Sequence, residues 1–262
     1  MLRVILRLLS AILLLLVLVV AGLALTMRAQ FPETTLQVRA NEQGQAVEDD
    51  SSILIVGGSR NTGLEVVKLL RTRGDKVTAF VRPTSDRTEL NKLGVEFVVG
   101  DAMDMDSVRA AFVDRQYRAV FTNIGCLGCE VPSDYQGNAN IIQAAKEAGV
   151  PRFIFMTSIG VGDSKDTPPW ITRRILARTL PLKARAEDEL RASGMAYTII
   201  RPGGLRSSPA TGHGILSEET DAFGYIFRED LAVLIVACLD DPRAVNKTLA
   251  ALDSQRAWPW SE

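Results

Sequence analysis

Apolar residues are distributed along this chain in two distinct ways. From Leu8 to Leu25 they run without a charged residue, and Ser10 is the only polar side chain among them. A bilayer core is crossed by roughly 20 apolar residues in a helix, so this run predicts an N-terminal transmembrane helix. Arg3 and Arg7 precede it, as in both signal peptides and signal anchors. A cleavable signal has a core of about 7–15 apolar residues and an A-x-A-like exit. Here the run is longer and its exit, Ala21-Gly-Leu-Ala24, is imperfect. The expectation is an uncleaved anchor over 1–27, with a cleaved signal as the alternative. Residues 28–50 are rich in Gln, Glu, Asn and Asp and hold no sustained apolar period, which reads as a polar linker.

After the linker the pattern becomes strand, then helix, repeated. Ser52–Gly57 is an apolar run of strand length, and Thr62–Arg73 has helical spacing closed by Gly74. Strands follow at Lys76–Val81, Val95–Val99, Arg118–Asn123, Arg152–Thr157, Ala196–Ile200 and Thr248–Leu252. Helices fall at Asp104–Asp114, Asp134–Ala148 and Glu229–Leu239, and a long helical region at Ile171–Ala192 is expected to bend at Pro181. This alternation predicts a doubly wound α/β domain of Rossmann type over 51–262, a parallel sheet with helices on both faces.

Charge narrows the function classes. The formal net charge is −1, which gives no support for a nucleic-acid binder. Three cysteines are too few for a disulfide framework. Arg3 and Arg7 before the span against Arg28 and Arg39 after it point the domain slightly outward. Cofactor supply argues the reverse and is given more weight, so a single-pass protein with a cytoplasmic domain is expected.

The first strand runs into Gly57-Gly58-Ser59-Arg60-Asn61-Thr62-Gly63 and then a helix begins. Glycines let backbone approach a pyrophosphate, and the helix N-terminus supplies N–H groups and partial positive charge. The middle glycine of the usual loop is replaced by Asn61 or Arg60, and Asn tolerates positive φ better than most residues. NAD-preferring sites carry an acid about 20 residues on, for the ribose 2′-OH. Here the second strand ends without an acid at Arg82. A guanidinium binds a 2′-phosphate with charge-assisted hydrogen bonds, and Arg60 can add a second. The cofactor expected is NADP(H). The bland alternative is two solvated surface arginines.

Gly57–Gly63, Val81-Arg82-Pro83, Gly100-Asp101-Ala102-Met103-Asp104, Gly137-Asn138, Thr157-Ser158-Ile159-Gly160-Val161, Lys183-Ala-Arg-Ala-Glu187 and Tyr197-Thr-Ile-Ile-Arg-Pro202-Gly203-Gly204-Leu205 together resemble the atypical short-chain dehydrogenase/reductases. The nearest groups are the NmrA-like, biliverdin reductase B-like and chloroplast NADPH-binding proteins, over roughly residues 52–252. The resemblance implies that Asp101, with Ala102, meets the adenine. It implies that Asn123 to Gly125 line the cofactor, that Thr157 and Ser158 face the nicotinamide, and that Pro202 and Gly203 lie against the carboxamide. Catalytic members pair a Tyr with a Lys four residues on. Lys183 fits the Lys position, but the Tyr position holds Thr179. A Thr hydroxyl is far too weak an acid to replace tyrosine. Ser158 and Lys183 remain the candidate catalytic residues, and Lys183 with Glu187 could instead be an i,i+4 surface pair.

Weaker signals surround this core. Cys126-Leu-Gly-Cys129 could be a redox-active thiol pair opening toward the nicotinamide, or two small loop residues; on the far side of a membrane it would read as a disulfide. His213, the only histidine, sits between glycines, and no metal constellation is visible. Trp170 to Arg185 is basic and partly amphipathic, so it either packs on the domain as a solvated helix or touches anionic lipid beside residues 8–25. The functional expectation is a membrane-anchored NADPH-dependent reductase of a flavin, quinone or similar small-molecule acceptor. The alternative is a non-catalytic NADP(H)-binding sensor or membrane-complex scaffold.

Overall fold

The structure is a computed structural model that describes residues 2–26, 29–37 and 51–255, with side chains of the first segment described over 7–22. The apolar run forms helix α1, Leu2–Thr26. Among the described residues no helix is long and apolar enough to cross a membrane.

The domain alternates as its periodicity requires. Strands β1 (Ser52–Val56), β2 (Val77–Val81), β3 (Glu96–Val99), β4 (Tyr117–Thr122), β5 (Arg152–Met156) and β6 (Ala196–Pro202) are joined by helices α2 (Asn61–Arg73), α3 (Thr88–Lys92), α4 (Met105–Ala110), α5 (Gln136–Glu147), α6 (Trp170–Ile175) and α7 (Leu180–Ala192). Then come β7 (Gly204–Arg206), β8 (Gly214–Ser217), β9 (Tyr225–Phe227), α8 (Arg228–Asp240) and β10 (Lys247–Asp253). The main sheet runs β3-β2-β1-β4-β5-β6-β10-β8, and β7 pairs β9 in a small separate sheet. All main-sheet pairings are parallel except β10 with β8. Central strands such as β1, β2 and β5 read as continuous apolar runs because both faces are covered. One face packs α2 and α8 around Ile55, Val67, Phe121, Ile200 and Ile235. The other packs α5 and α7 around Leu54, Val120, Ile141, Phe155 and Leu190. Strand order reverses between β1 and β4, and open α/β sheets bind ligands in the crevice at that point.

Three sequence expectations change. The single bent helix is two, because Pro181 sits in the first turn of α7, where its missing N–H costs nothing. The short strands β7, β8 and β9 and helix α3 carry too few residues to show a period. The stretch read as a linker is not featureless, since Gln30 forms a bridge with Phe223 and Leu36 with Leu216. Glu219 clamps that segment further, accepting from the backbone N–H of Glu33 (3.0 Å) and Thr34 (2.6 Å) and from the Thr34 hydroxyl (2.7 Å). Residues 38–50 lie outside the described residues.

Candidate functional site

The turn from β1 into α2 is built for close approach. Gly57 has φ +96° and Asn61 φ +53°, so the left-handed conformation anticipated for the asparagine is adopted. A Cβ on Gly63 would collide with the Gly57 carbonyl oxygen and lie 2.9 Å from its carbon. Gly63 therefore lets the helix pack directly on the turn. No side chain from the N-cap residue Arg60 closes the first turn of α2. The Asn123 amide, after β4, completes the turn. With its nitrogen toward the turn it donates to the carbonyls of Val56 (3.1 Å) and Gly57 (3.2 Å), and its oxygen accepts from the Gly63 N–H (3.3 Å). That orientation is assigned from the hydrogen-bond pattern.

Around the turn the other predicted residues sit at C-terminal strand ends. Ser59 is half-buried, and Arg60 and Arg82 are exposed with no ion pair for either guanidinium among the described residues. Asp101 accepts from the Met103 N–H (2.9 Å), and Ala102 is buried with its carbonyl held by Asn140 (2.8 Å). Gly125 is exposed, next to Lys183 and Asp134. Thr157 is buried with its hydroxyl on Glu187 (2.7 Å), and the Ser158 hydroxyl donates to the Ile159 carbonyl (2.9 Å). Pro202 ends β6, and a Cβ on Gly203 would collide with the Gly224 carbonyl. The sheet thus brings Gly57–Gly63, Arg82, Asp101, Asn123, Gly125 and Pro202–Gly203 to one edge. It leaves the Thr157 hydroxyl turned into a buried ionic cluster.

Comparison with known proteins fits this geometry. Residues 57–242 match the family described as NAD(P)H-binding. This chain belongs to that family, within the atypical short-chain dehydrogenase/reductases. A Bacillus subtilis (strain 168) protein named as the uncharacterized sugar epimerase YhfK is 30% identical over 200 residues, 74% of this chain and 91% of that one. The NAD(P)H azoreductase of Xenophilus azovorans is 35% identical over 153 residues, 58% of this chain and 47% of its own length. Among solved structures, ChuY from Escherichia coli O157:H7, titled an anaerobilin reductase, matches with TM-score 0.71 and 26% identity over 80% of this chain and 100% of that one.

The residues of this NAD(P)H-binding protein fit NADP(H) on an observation of their own. The Thr62 hydroxyl, in the first turn of α2, is buried with no hydrogen-bond partner. A buried hydroxyl left unpaired costs about 1–3 kcal/mol, and a phosphate oxygen at the helix N-terminus would satisfy it. Arg60 and Arg82 are exposed, with no ion pair among the described residues, and a guanidinium has the chemistry that a 2′-phosphate takes.

Beyond the cofactor edge, the structure sets aside the i,i+4 alternative for Lys183. It does not pair with Glu187 but with Asp134, at 2.9 Å. Asp134 is 1% exposed, and its other oxygen accepts from the Cys126 N–H (2.8 Å). Lys183 therefore holds the loop after β4 against the cofactor edge. Asn138 supports the same loop, taking the Thr122 hydroxyl (2.9 Å) and donating to the Ile124 carbonyl (3.2 Å). Cys126 and Cys129 form a disulfide in that loop. Burial pushes the remaining thiol, Cys238, up to about 12, which leaves it inert. Thr179 is 3% exposed and its hydroxyl faces the Leu176 carbonyl (3.3 Å), so the position of the missing tyrosine is occupied by a core contact.

Sequence reasoning missed the ionic cluster. Glu187 is fully buried and takes both Nε (3.0 Å) and Nη2 (2.7 Å) of Arg201, itself 4% exposed, while Asp163 also pairs with Arg201. Burial opposes these charges. The pairing outweighs it, holding Arg201 above its ordinary range and the Asp163 carboxyl below its own. The available signal was an arginine closing the apolar strand Thr198-Ile-Ile. A cavity lined by Ile159, Ser164, Arg201, Glu219 and Thr220 adjoins this cluster, and none of the expected cofactor residues lines it.

Proposed function

We infer that this protein is a membrane-anchored NADPH-dependent reductase of an acceptor that needs no enzymic acid, such as a quinone or flavin. The observation that carries the reading is a cofactor edge with its orphaned Thr62 hydroxyl intact, beside a core threonine where the acid would stand. When bound, NADPH supplies hydride. The chain's own residues grip the phosphates through Thr62 and the α2 N-terminus, select the 2′-phosphate through Arg60 and Arg82, and brace the nicotinamide end through Lys183 and Asp134. The second proton of a quinone's reduction to hydroquinone comes from water. Relatives named as azoreductase and anaerobilin reductase support reduction as the chemistry.

The anchor is supported by the uncharged run Leu8–Leu25 within α1. Its large apolar side chains from Leu8 to Val20 are all more than half exposed. Taking each out of water would stabilise by roughly 1.5–3 kcal/mol. The exposed Arg174 and Arg178 support lipid contact by the basic stretch Trp170 to Arg185. We place the domain on the cytoplasmic side, where the cofactor is supplied. The Cys126–Cys129 disulfide favours the opposite topology, because such bonds persist in oxidising compartments. Labelling of Arg82→Cys in sealed vesicles separates the two. Access from the outside alone would put the domain across the membrane.

A second reading, a non-catalytic NADP(H)-binding sensor or scaffold, is favoured by Thr179 alone. Steady NADPH oxidation by the full chain with a panel of quinone, flavin and azo acceptors distinguishes them. Tight NADPH binding with no acceptor turned over would sink the reductase.

A further inference from the structure

The chain leaves α1 and immediately locks onto the substrate side of the domain. Only three residues separate Thr26, the end of α1, from Gln30, which exchanges backbone hydrogen bonds with Phe223 (2.6 and 2.8 Å). Ala29 packs on Gly224. The Gly224 carbonyl in turn accepts from the Gly204 N–H (2.9 Å) and fills the space a Gly203 side chain would need. The wall expected behind the nicotinamide therefore carries the root of the anchor. At about 3.5 Å per residue, the end of α1 lies within roughly 14 Å of that wall. The clamp of Glu219 on Thr34 and the bridge of Leu36 to Leu216 prevent the segment from peeling away as a free tether.

Apolar side chains stand exposed around the same edge. Phe31 is in the clamped segment, Leu127 and Val131 are in and just after the disulfide loop, and Trp170 and Ile175 are on α6. Trp170 is 57% exposed and Val131 68%. Hydrogen bonds knit these pieces together. The Thr167 hydroxyl donates to the Thr220 carbonyl (2.6 Å) three residues before Phe223, and Arg178 donates to the Glu130 carbonyl (3.2 Å). Arg174 and Arg178 are exposed among them. Arg173 pairs with Asp166 (2.9 Å), and Glu33, Glu130, Glu219 and Asp221 are further acids around the rim, of which Glu219 is taken up by the Glu33 and Thr34 N–H groups. Exposed aromatic and aliphatic groups interspersed with arginines are the composition of a surface that enters an anionic headgroup layer.

We propose that this rim rests on the anionic bilayer that α1 enters, so that the nicotinamide end opens onto lipid and the acceptor is drawn from the bilayer. This rests on the anchored-reductase reading and adds the source of its substrate, a membrane-dissolved quinone-type molecule. Two electrons and one proton pass from NADPH as hydride, a second proton comes from water, and the quinone becomes hydroquinone.

The test uses the full chain in vesicles of phosphatidylcholine with about a quarter phosphatidylglycerol. In a Trp258→Phe, Trp260→Phe background, Trp170 is the remaining tryptophan. Its fluorescence should fall severalfold with acyl-chain-brominated lipid. Arg174→Glu with Ile175→Glu should abolish that quenching while the chain stays anchored. The same pair should cut the rate with a long-chain, bilayer-confined quinone at least tenfold and leave a short-chain, water-soluble quinone unchanged. Unquenched Trp170 in the anchored protein overturns the proposal, as does burial of Trp170 against a second copy shown by crosslinking without lipid. If neither quinone oxidises NADPH, the reductase reading fails and quenching alone decides the docking.

Discussion

In the orientation its hydrogen-bond pattern assigns, the Asn123 amide places its oxygen 3.3 Å from the Gly63 N–H, joining the loop after β4 to the first turn of the phosphate helix. Replacing Asn123 by Leu leaves the Gly63 N–H and the Gly57 carbonyl without this partner, while the Val56 carbonyl keeps the backbone N–H of residue 123 (3.2 Å). Unpaired buried groups cost about 1–3 kcal/mol each, so NADPH affinity should fall about tenfold or more with the fold retained. Titration of intrinsic fluorescence with NADPH measures it, and wild-type affinity would mean the amide is idle.

Gly63→Val should abolish cofactor binding. A Cβ there would lie 3.1 Å from the Gly58 Cα as well as colliding with Gly57, so α2 must move off the turn. Circular dichroism controls for folding, and retained NADPH binding in a folded variant would show the loop is misassigned.

Arg82→Ala should weaken NADPH by about 1–3 kcal/mol and leave NADH unchanged, because the lost bond is to the 2′-phosphate alone. Equal loss for both cofactors would assign Arg82 to the adenine or to the fold.

Glu187→Ala should destabilise the domain by about 3–5 kcal/mol, since it leaves the buried Arg201 guanidinium with only the exposed Asp163 as a charged partner. Asp163 is itself largely exposed, and against a partial desolvation Arg201 holds its carboxyl below the ordinary range. Its contribution is therefore present above the ordinary carboxylate range and is lost as pH falls through the depressed folded value. Asp163→Asn should flatten that acidic limb in urea titrations. An unchanged limb would show that the pair adds nothing to stability.

Thr179→Val should leave NADPH oxidation within about twofold of wild type, because the Thr179 hydroxyl does no more than meet the Leu176 carbonyl. A thousandfold fall in kcat with cofactor binding intact would make Thr179 the proton donor after all.

Local pattern determined much of this protein. The parallel α/β alternation, the glycine turn with Asn61 at positive φ, and the acid-free end of β2 are all properties of contiguous residues. Period and backbone sterics act within one turn or strand, so they can be read without knowing the partners. Tertiary structure decided what depends on residues far apart. Glu187 and Arg201, on α7 and β6, neutralise each other in the core. Lys183 turns to Asp134 rather than to the glutamate four residues along its own helix. Glu219 takes hold of the polar stretch read as a linker. In the first two cases a charge cannot be buried alone, and in all three the partner is chosen by tertiary packing and not by distance along the chain.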